Sequence, residues 1–341
     1  MPQAIIDNTH LTFSADTKVI TQDMVKPYKD RVTHITIPKG VEAINEEAFC
    51  LFEKLIAVDL PDSLTTIGEY AFAGCRGLPS VIFPDCLTTI SYRAFSGCTG
   101  LTQLIFPNSL TTIEAGAFQG CKELTSVTFP DSLTIIGKFA FDGCRGLTHL
   151  TFPDSLTSIR EGAFNRCTGL TQLIFPDSLT TIEKGAFADC TNLKYLIVPP
   201  SFANKDALYW QNRGIDIHKT EIVTPKKLQD FQESHNIEEN TSTREIKTLY
   251  LAQQKLIPLP GSRDDLSTKT FHPITQLTFQ NLLTLPIGIS LILPGLKKYK
   301  DLTNPLAIMQ KAVAPLKELA AGAAQNLAQW LTWRDIARIW L

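Results

Sequence analysis

The sequence holds no CxxC pair, no HExxH, no P-loop and no GxSxG. Thiol-redox, zinc-protease, nucleotide and serine-hydrolase chemistry are therefore unmarked. Its six histidines, His10, His34, His149, His218, His235 and His272, are scattered rather than grouped at a metal-ligand spacing. No cysteine follows Cys190, so nothing downstream can act as a thiol ligase or protease. No stretch reaches the ~18 apolar residues of a membrane span. The first residues have neither a basic start nor an apolar run of leader length, and classical secretion is not expected. A net charge of −2 over 341 residues gives no excess of one sign to attract nucleic acid. These absences point to a non-enzymatic chain with no metal and no cofactor.

What the sequence has in abundance is repetition. The dipeptide Ala-Phe recurs at Phe49, Phe72, Phe95, Phe118, Phe141, Phe164 and Phe187, always 23 residues apart. Pro38, Pro61, Pro84, Pro107, Pro130, Pro153, Pro176 and Pro199 keep the same step. A fixed period of this size means a solenoid, in which each unit buries its apolar face only against its neighbours. In one unit the recurring apolar positions are Leu101, Leu104 and Phe106 before the proline, then Leu110, Ile113, Ala117, Phe118 and Cys121 after it.

The stretch ending in Leu104 and Phe106 alternates, which predicts a short strand with those two side chains inward. Proline ends it because it lacks a ladder donor. Gly74, Gly97, Gly120 and Gly143 permit a tight corner before the cysteine. Side chains between the inward ones should point outward. One such column is His34, Ala57, Ser80, Gln103, Ser126, His149, Gln172 and Tyr195. Its neighbour is Thr36, Asp59, Ile82, Ile105, Thr128, Thr151, Ile174 and Ile197. Aliphatics on an outward column with polar company suit a protein partner. The competing reading is that β-branched residues simply fill strands well. Candidate partner-binding residues are His34, Asp59, Ile82, Gln103, Ile105, Ser126, Thr128, His149, Thr151, Gln172, Ile174, Tyr195 and Ile197.

The residues Leu110, Thr111, Thr112, Ile113, Ala117, Phe118, Cys121, Leu124, Val127, Phe129 and Pro130, with their 23-residue images, resemble the BspA-type leucine-rich repeats, also called the Treponema pallidum type. The resemblance covers residues 32–199. It implies a leucine-rich repeat solenoid of about seven repeats, with a parallel β-sheet on the concave face, used for adhesion or protein binding. It brings no catalytic residues. Together with the missing leader, the resemblance suggests action in the cytoplasm or, for a bacterial effector, delivery into a host cell.

Six of the eight cysteines form a ladder at Cys75, Cys98, Cys121, Cys144, Cys167 and Cys190. A spacing of 23 supplies no zinc pair, and a cysteine fixed at one core register behaves as a small hydrophobe. Unpaired thiols in this number favour a reducing compartment. Cys86 replaces the turn serine and is the expected exposed thiol. The turn column Asp62, Asp85, Asp131, Asp154 and Asp177 invites a calcium reading, but calcium solenoids carry denser Gly-Asp repeats. Each aspartate is instead expected to fix its own turn.

Residues 1–31 should cap the first repeat, with Phe13 and Ile20 as apolar cover. Residues 200–244 read as a far cap and linker, with a short helix at 225–233. Residues 245–341 read as a small, mainly α-helical domain. Asn304 and Pro305 make a good helix start, and Leu316, Leu319, Ala323 and Leu327 follow helical spacing. The solenoid carries an acidic excess, whereas residues 271–341 carry a basic one through Lys297, Lys298, Lys300, Lys311, Lys317, Arg334 and Arg338. Two alternatives attach to this region. Residues 276–302 faintly resemble an F-box, which would make the chain a ubiquitin-ligase adaptor. The basic, Trp-rich tail would alternatively touch an anionic membrane surface.

Overall fold

The computed structural model describes residues 4–235 together with Ile246, Lys247 and Tyr250. The chain divides into two compact units, Met1–Pro225 and Lys226–Leu341. The expected helical domain, the F-box-like stretch and the basic tail therefore lie outside the described residues, apart from those three positions.

The repeats of the first unit build three ladders. The first is the expected parallel sheet. A hairpin of Ala4–Asp7 and His10–Phe13 starts it, and His10–Phe13 then pairs in parallel with His34–Thr36. Ala57–Asp59 follows on His34–Thr36. Further on, Gln103–Ile105 pairs with Ser126–Thr128, and His149–Thr151, Gln172–Ile174, Tyr195–Ile197 and Glu221–Val223 run side by side. Leu104 and Phe106 are buried, as the alternation requires, while Gln103 and Ile105 face outward.

The second ladder is made of two-residue rungs. Val19–Ile20, Ala43–Ile44 and Thr66–Ile67 form one parallel group. Thr89–Ile90, Thr112–Ile113, Ile135–Ile136, Ser158–Ile159 and Thr181–Ile182 form another. The second residue of every rung is a buried isoleucine. The threonine preceding a rung tightens the stack, as when Thr134 Oγ1 donates to the Thr111 carbonyl at 3.1 Å.

The third ladder runs along the Ala-Phe corner in the opposite donating sense. The Phe118 N–H bonds the Ala140 carbonyl of the following repeat at 2.8 Å, flanked by Gly116 to Lys138 at 2.8 Å and Gly120 to Asp142 at 2.7 Å. Both flanking residues sit at positive φ, 65° and 77°. Alternating the two helical hands turns every second N–H the same way, toward the C-terminal end.

The core between the ladders is a pile of rings. Phe72, Phe95, Phe118, Phe141, Phe164 and Phe187 stack at centroid distances of 5.2 to 5.6 Å. Such contacts contribute roughly 0.5–1.5 kcal/mol per pair beyond the area they bury.

The solenoid has about nine turns, more than the Ala-Phe count predicts. His10–Phe13 with Val19–Ile20 adds a turn inside the expected N-terminal cap, and Glu221–Val223 extends the sheet at the other end. These segments lack the Ala-Phe mark yet keep the strand alternation. Phe13 and Ile20 are buried, as expected of cap residues. At the far end Asp206 caps helix Ala207–Asn212 by accepting the Tyr209 N–H at 2.7 Å. The carbonyls of Asn212 and Arg213 take the last N–H groups of the third ladder, from Gly185 and Phe187. Trp210 is buried, and the Arg213 guanidinium lies 3.4 Å from the centre of the Tyr209 ring. In the second unit, helix Pro225–Ser234 buries Leu228 and Phe231, and Phe231 meets Tyr250 edge-on at 5.2 Å.

Two local features add to the expected pattern. The turn is tied to the preceding repeat by its serine. Ser132, Ser155 and Ser178 each donate to a leucine carbonyl one repeat back, Leu110, Leu133 and Leu156, at 2.6 to 2.7 Å. The sheet is also interrupted at Ser80, Val81 and Ile82, which form no strand, and its pairing lapses again between Ser126–Thr128 and His149–Thr151. Pro79 occupies the Thr102 register there and has no N–H to give, and Cys86 occupies the serine register. The second ladder breaks at the same place, between Thr66–Ile67 and Thr89–Ile90. Of the backbone ladders the third crosses, through Tyr70 to Tyr92, Phe72 to Ala94 and Gly74 to Ser96 at 2.7 to 3.0 Å, while the second is bridged by a side chain, Ser91 Oγ donating to the Ile67 carbonyl at 2.6 Å.

Candidate functional site

Rigid neighbouring strands hold the outward columns of the first sheet at a fixed pitch. His34, Ser80, Gln103, Ser126 and His149 are exposed, and Gln172 and Tyr195 are half-buried. In the adjoining column Asp59, Thr128 and Thr151 are exposed and Ile174 is half-buried. Ile82 is 84% exposed and Ile105 54%. Ile56, at the strand edge one repeat earlier, is 47% exposed. The widest aliphatic exposure thus lies at the interruption of the sheet. Ile197 departs from the expected column. It is fully buried, as is Val223 opposite it on Glu221–Val223, the strand that continues the sheet past the last proline-marked repeat.

Threonines along the strand edge form a hydrogen-bonding column that recurs with the repeat. Thr125 Oγ1 donates to the Thr102 carbonyl at 3.0 Å, and Thr171 Oγ1 to that of Thr148 at 3.2 Å.

At the N-terminal end of this face, His10 and His34 stand opposite each other on paired strands. Their ring centroids are 6.1 Å apart with the planes tilted by 53°. His10 Nε2 lies 2.9 Å from Thr36 Oγ1, which donates to Asp59 Oδ2 at 3.1 Å. His34 Nδ1 lies 2.8 Å from Thr33 Oγ1, which donates to Thr9 Oγ1 at 2.9 Å. His34 and Asp59 were expected on this face; His10 was not, because residues 1–31 read as a cap. Its signal was the repeated Thr-His pair, Thr9 with His10 and Thr33 with His34, offset by one residue from the period.

Two charged clusters outside the strand face are internally satisfied. Asp142 is buried and accepts from Gln119 Nε2 at 2.8 Å, Asn165 Nδ2 at 3.0 Å, and Arg166 Nε and Nη2 at 3.0 and 2.6 Å. A shallow recess lined by Tyr92, Ala115, Gly137, Lys138 and Arg160 has both cations paired, to Glu161 at 3.2 Å and Glu183 at 2.7 Å. Burial alone would raise the Glu183 carboxyl, but Arg160 and the Glu161 N–H outweigh it and hold it below its usual range. Among the described residues no group of three or more His, Cys, Asp or Glu side chains is placed to hold a metal ion. Among them, too, no helix is long and apolar enough to cross a membrane.

No curated protein matches this chain. Solved structures do. A T. pallidum leucine-rich repeat protein is 28% identical, with 57% of this chain and 87% of that one covered at a TM-score of 0.47. A leucine-rich repeat protein from Bacteroides ovatus is 23% identical, with 58% and 70% covered at a TM-score of 0.40. The pneumococcal vaccine antigen PcpA is 16% identical, with 68% and 94% covered at a TM-score of 0.29. A family model described as the BspA type leucine rich repeat region matches in six copies, over residues 27–128 and 111–242. With that match over more than half of its length, and with the ladders that its repeats build, the chain belongs to the BspA-type leucine-rich repeat family.

Proposed function

We propose that the repeats are a non-enzymatic protein-recognition module that engages its partner through the strand face. Leucine-rich repeat proteins generally bind protein partners across such extended surfaces. The observation that carries the reading is the exposure of Ile82, at the interruption of the sheet, and of Ile105 on the strand one repeat later, bordered by Asp59, Gln103, Ser126 and Thr128. An aliphatic centre with a polar rim is the anatomy of a protein interface. His34, His149, Thr151, Gln172, Ile174 and Tyr195 extend the contact along the array.

The test compares full-length chain with the Ile82→Asp/Ile105→Asp double variant in crosslinking capture from cell lysate. We expect the partner recovered by the wild-type chain to be lost from a double variant of unchanged circular dichroism. A partner retained by the variant would remove the strand face from the reading.

The compartment enters through the thiols. Eight free cysteines, six of them buried in one ladder, suit a reducing interior, and delivery into a host cell as a bacterial effector is the form of that reading we favour. A translocation reporter fused to the chain should give signal inside host cells during infection; signal confined to the bacterium would end it.

A further inference from the structure

We propose that His10 and His34 form a two-imidazole site for a divalent transition-metal ion of the Zn2+, Ni2+ or Cu2+ class, at the N-terminal edge of the strand face. The two residues are in direct register on adjacent parallel strands, so the backbone fixes where both rings start. Both side chains are exposed.

The hydrogen bonds assign the ligating atoms. The Thr36 hydroxyl has one proton and gives it to the Asp59 carboxylate, which only accepts. Thr36 Oγ1 must then accept from His10, which places the His10 proton on Nε2 and leaves a lone pair on Nδ1. By the same count, Thr33 gives its proton to Thr9 Oγ1 and must accept from His34 Nδ1–H. The free lone pair of His34 is on Nε2. Each ring therefore donates one N–H to an oxygen that is itself held, and in the neutral imidazole the other nitrogen carries the lone pair. That is the arrangement by which proteins orient metal-ligating imidazoles, with the tautomer set by the partner of the non-ligating nitrogen.

The spacing is close to what an ion needs. With metal–nitrogen bonds of about 2.0–2.1 Å and a tetrahedral angle, two rings on one ion have centroids about 5 Å apart. The observed 6.1 Å closes to that by a small rotation of two exposed side chains. Imidazole nitrogen selects Zn2+, Ni2+ and Cu2+ over Mg2+ and Ca2+. Two protein ligands leave the remaining positions to water, so the ion would stand open on the face proposed above to meet a partner.

Titration calorimetry of the full chain with NiCl2, in a Cys86→Ser background that removes the exposed thiol as a competing ligand, tests the site. We expect one ion per chain. Binding should be abolished in His10→Ala and in His34→Ala, unchanged in His218→Ala, and weakened about 10- to 100-fold in Thr36→Val, which supplies no ligand atom and removes only the oxygen that holds His10 Nε2–H and its relay to Asp59. Long-range proton–nitrogen spectra of the ion-free chain should show His10 protonated at Nε2 and His34 at Nδ1. Absence of Ni2+ binding, binding that survives the double histidine variant, or the opposite pair of tautomers would overturn the proposal.

Discussion

A single thiol shows how closely the repeat is fitted. Each ladder cysteine donates its S–H to a phenylalanine carbonyl 26 residues back: Cys98 to Phe72 at 3.1 Å, Cys121 to Phe95 at 3.4 Å, Cys144 to Phe118 at 3.2 Å and Cys167 to Phe141 at 3.1 Å. Alanine would leave that carbonyl without the contact. The sequence announced the register as a small buried hydrophobe, but its acceptor sits one turn away and no local pattern shows it. Burial pushes Cys121, Cys144 and Cys167 well above the ordinary 9.0 and Cys190 up to about 12. The folded chain keeps protons that the unfolded chain would release. The stability that Cys190 contributes is therefore full below about pH 9 and falls as pH rises from there toward 12, by about 1.4 kcal/mol per pH unit. Urea unfolding between pH 8 and 10.5 should show a shallower alkaline loss in Cys190→Ala than in wild type; parallel slopes would refute the linkage. In native alkylation at pH 8, Cys86 should be modified first and the ladder spared.

Within one turn of the solenoid, the bonds that matter reach to the neighbouring turn. Ser132 Oγ to the Leu110 carbonyl at 2.6 Å is one of a series, and Cys86 is where the series lapses. Ser132→Ala should lower stability by about 1 kcal/mol, and Cys86→Ser should raise it by up to about 1 kcal/mol by supplying the missing donor for Leu64. Denaturant midpoints at constant slope would check both, and a destabilised Cys86→Ser would contradict the account. Much of the element scale was legible: the first strand, the proline stop and the glycine corners at Gly74, Gly97, Gly120 and Gly143, which sit at φ of 72° to 77°. The second ladder was not, because a Thr-Ile rung of two residues is too short to carry a period. Nor was the first left-handed position of each corner, since Tyr70, Arg93 and Phe139 hold it at φ of 49° to 55° without the glycine that usually marks it. The Arg93 side chain crosses Gly116 of the next repeat, and the Phe139 ring covers Gly162, so these two long residues are each matched to a glycine one turn on.

At the scale of the molecule, the repeat period disclosed the solenoid but not where it stops. Glu221–Val223 joins the sheet, Ile197 is buried and His10 faces His34, all in segments where the Ala-Phe mark is missing. Of the candidate site, the outward columns were readable from alternation, whereas the concentration of exposure at Ile82 depends on a neighbouring proline acting through the fold. That proline has a thermodynamic consequence. In a linear array each turn is coupled only to the next, and the coupling at every junction is the sum of its ladders. Two of three are absent between Thr66–Ile67 and Thr89–Ile90. The array should then behave as two cooperative blocks with a soft boundary, and hydrogen exchange under mild denaturant should show residues 4–78 and 87–223 losing protection in separate steps. Pro79→Thr, by returning a donor to the Ile56 carbonyl, should draw the two steps together, whereas a single step in the wild-type chain would show the boundary to be as stiff as any other.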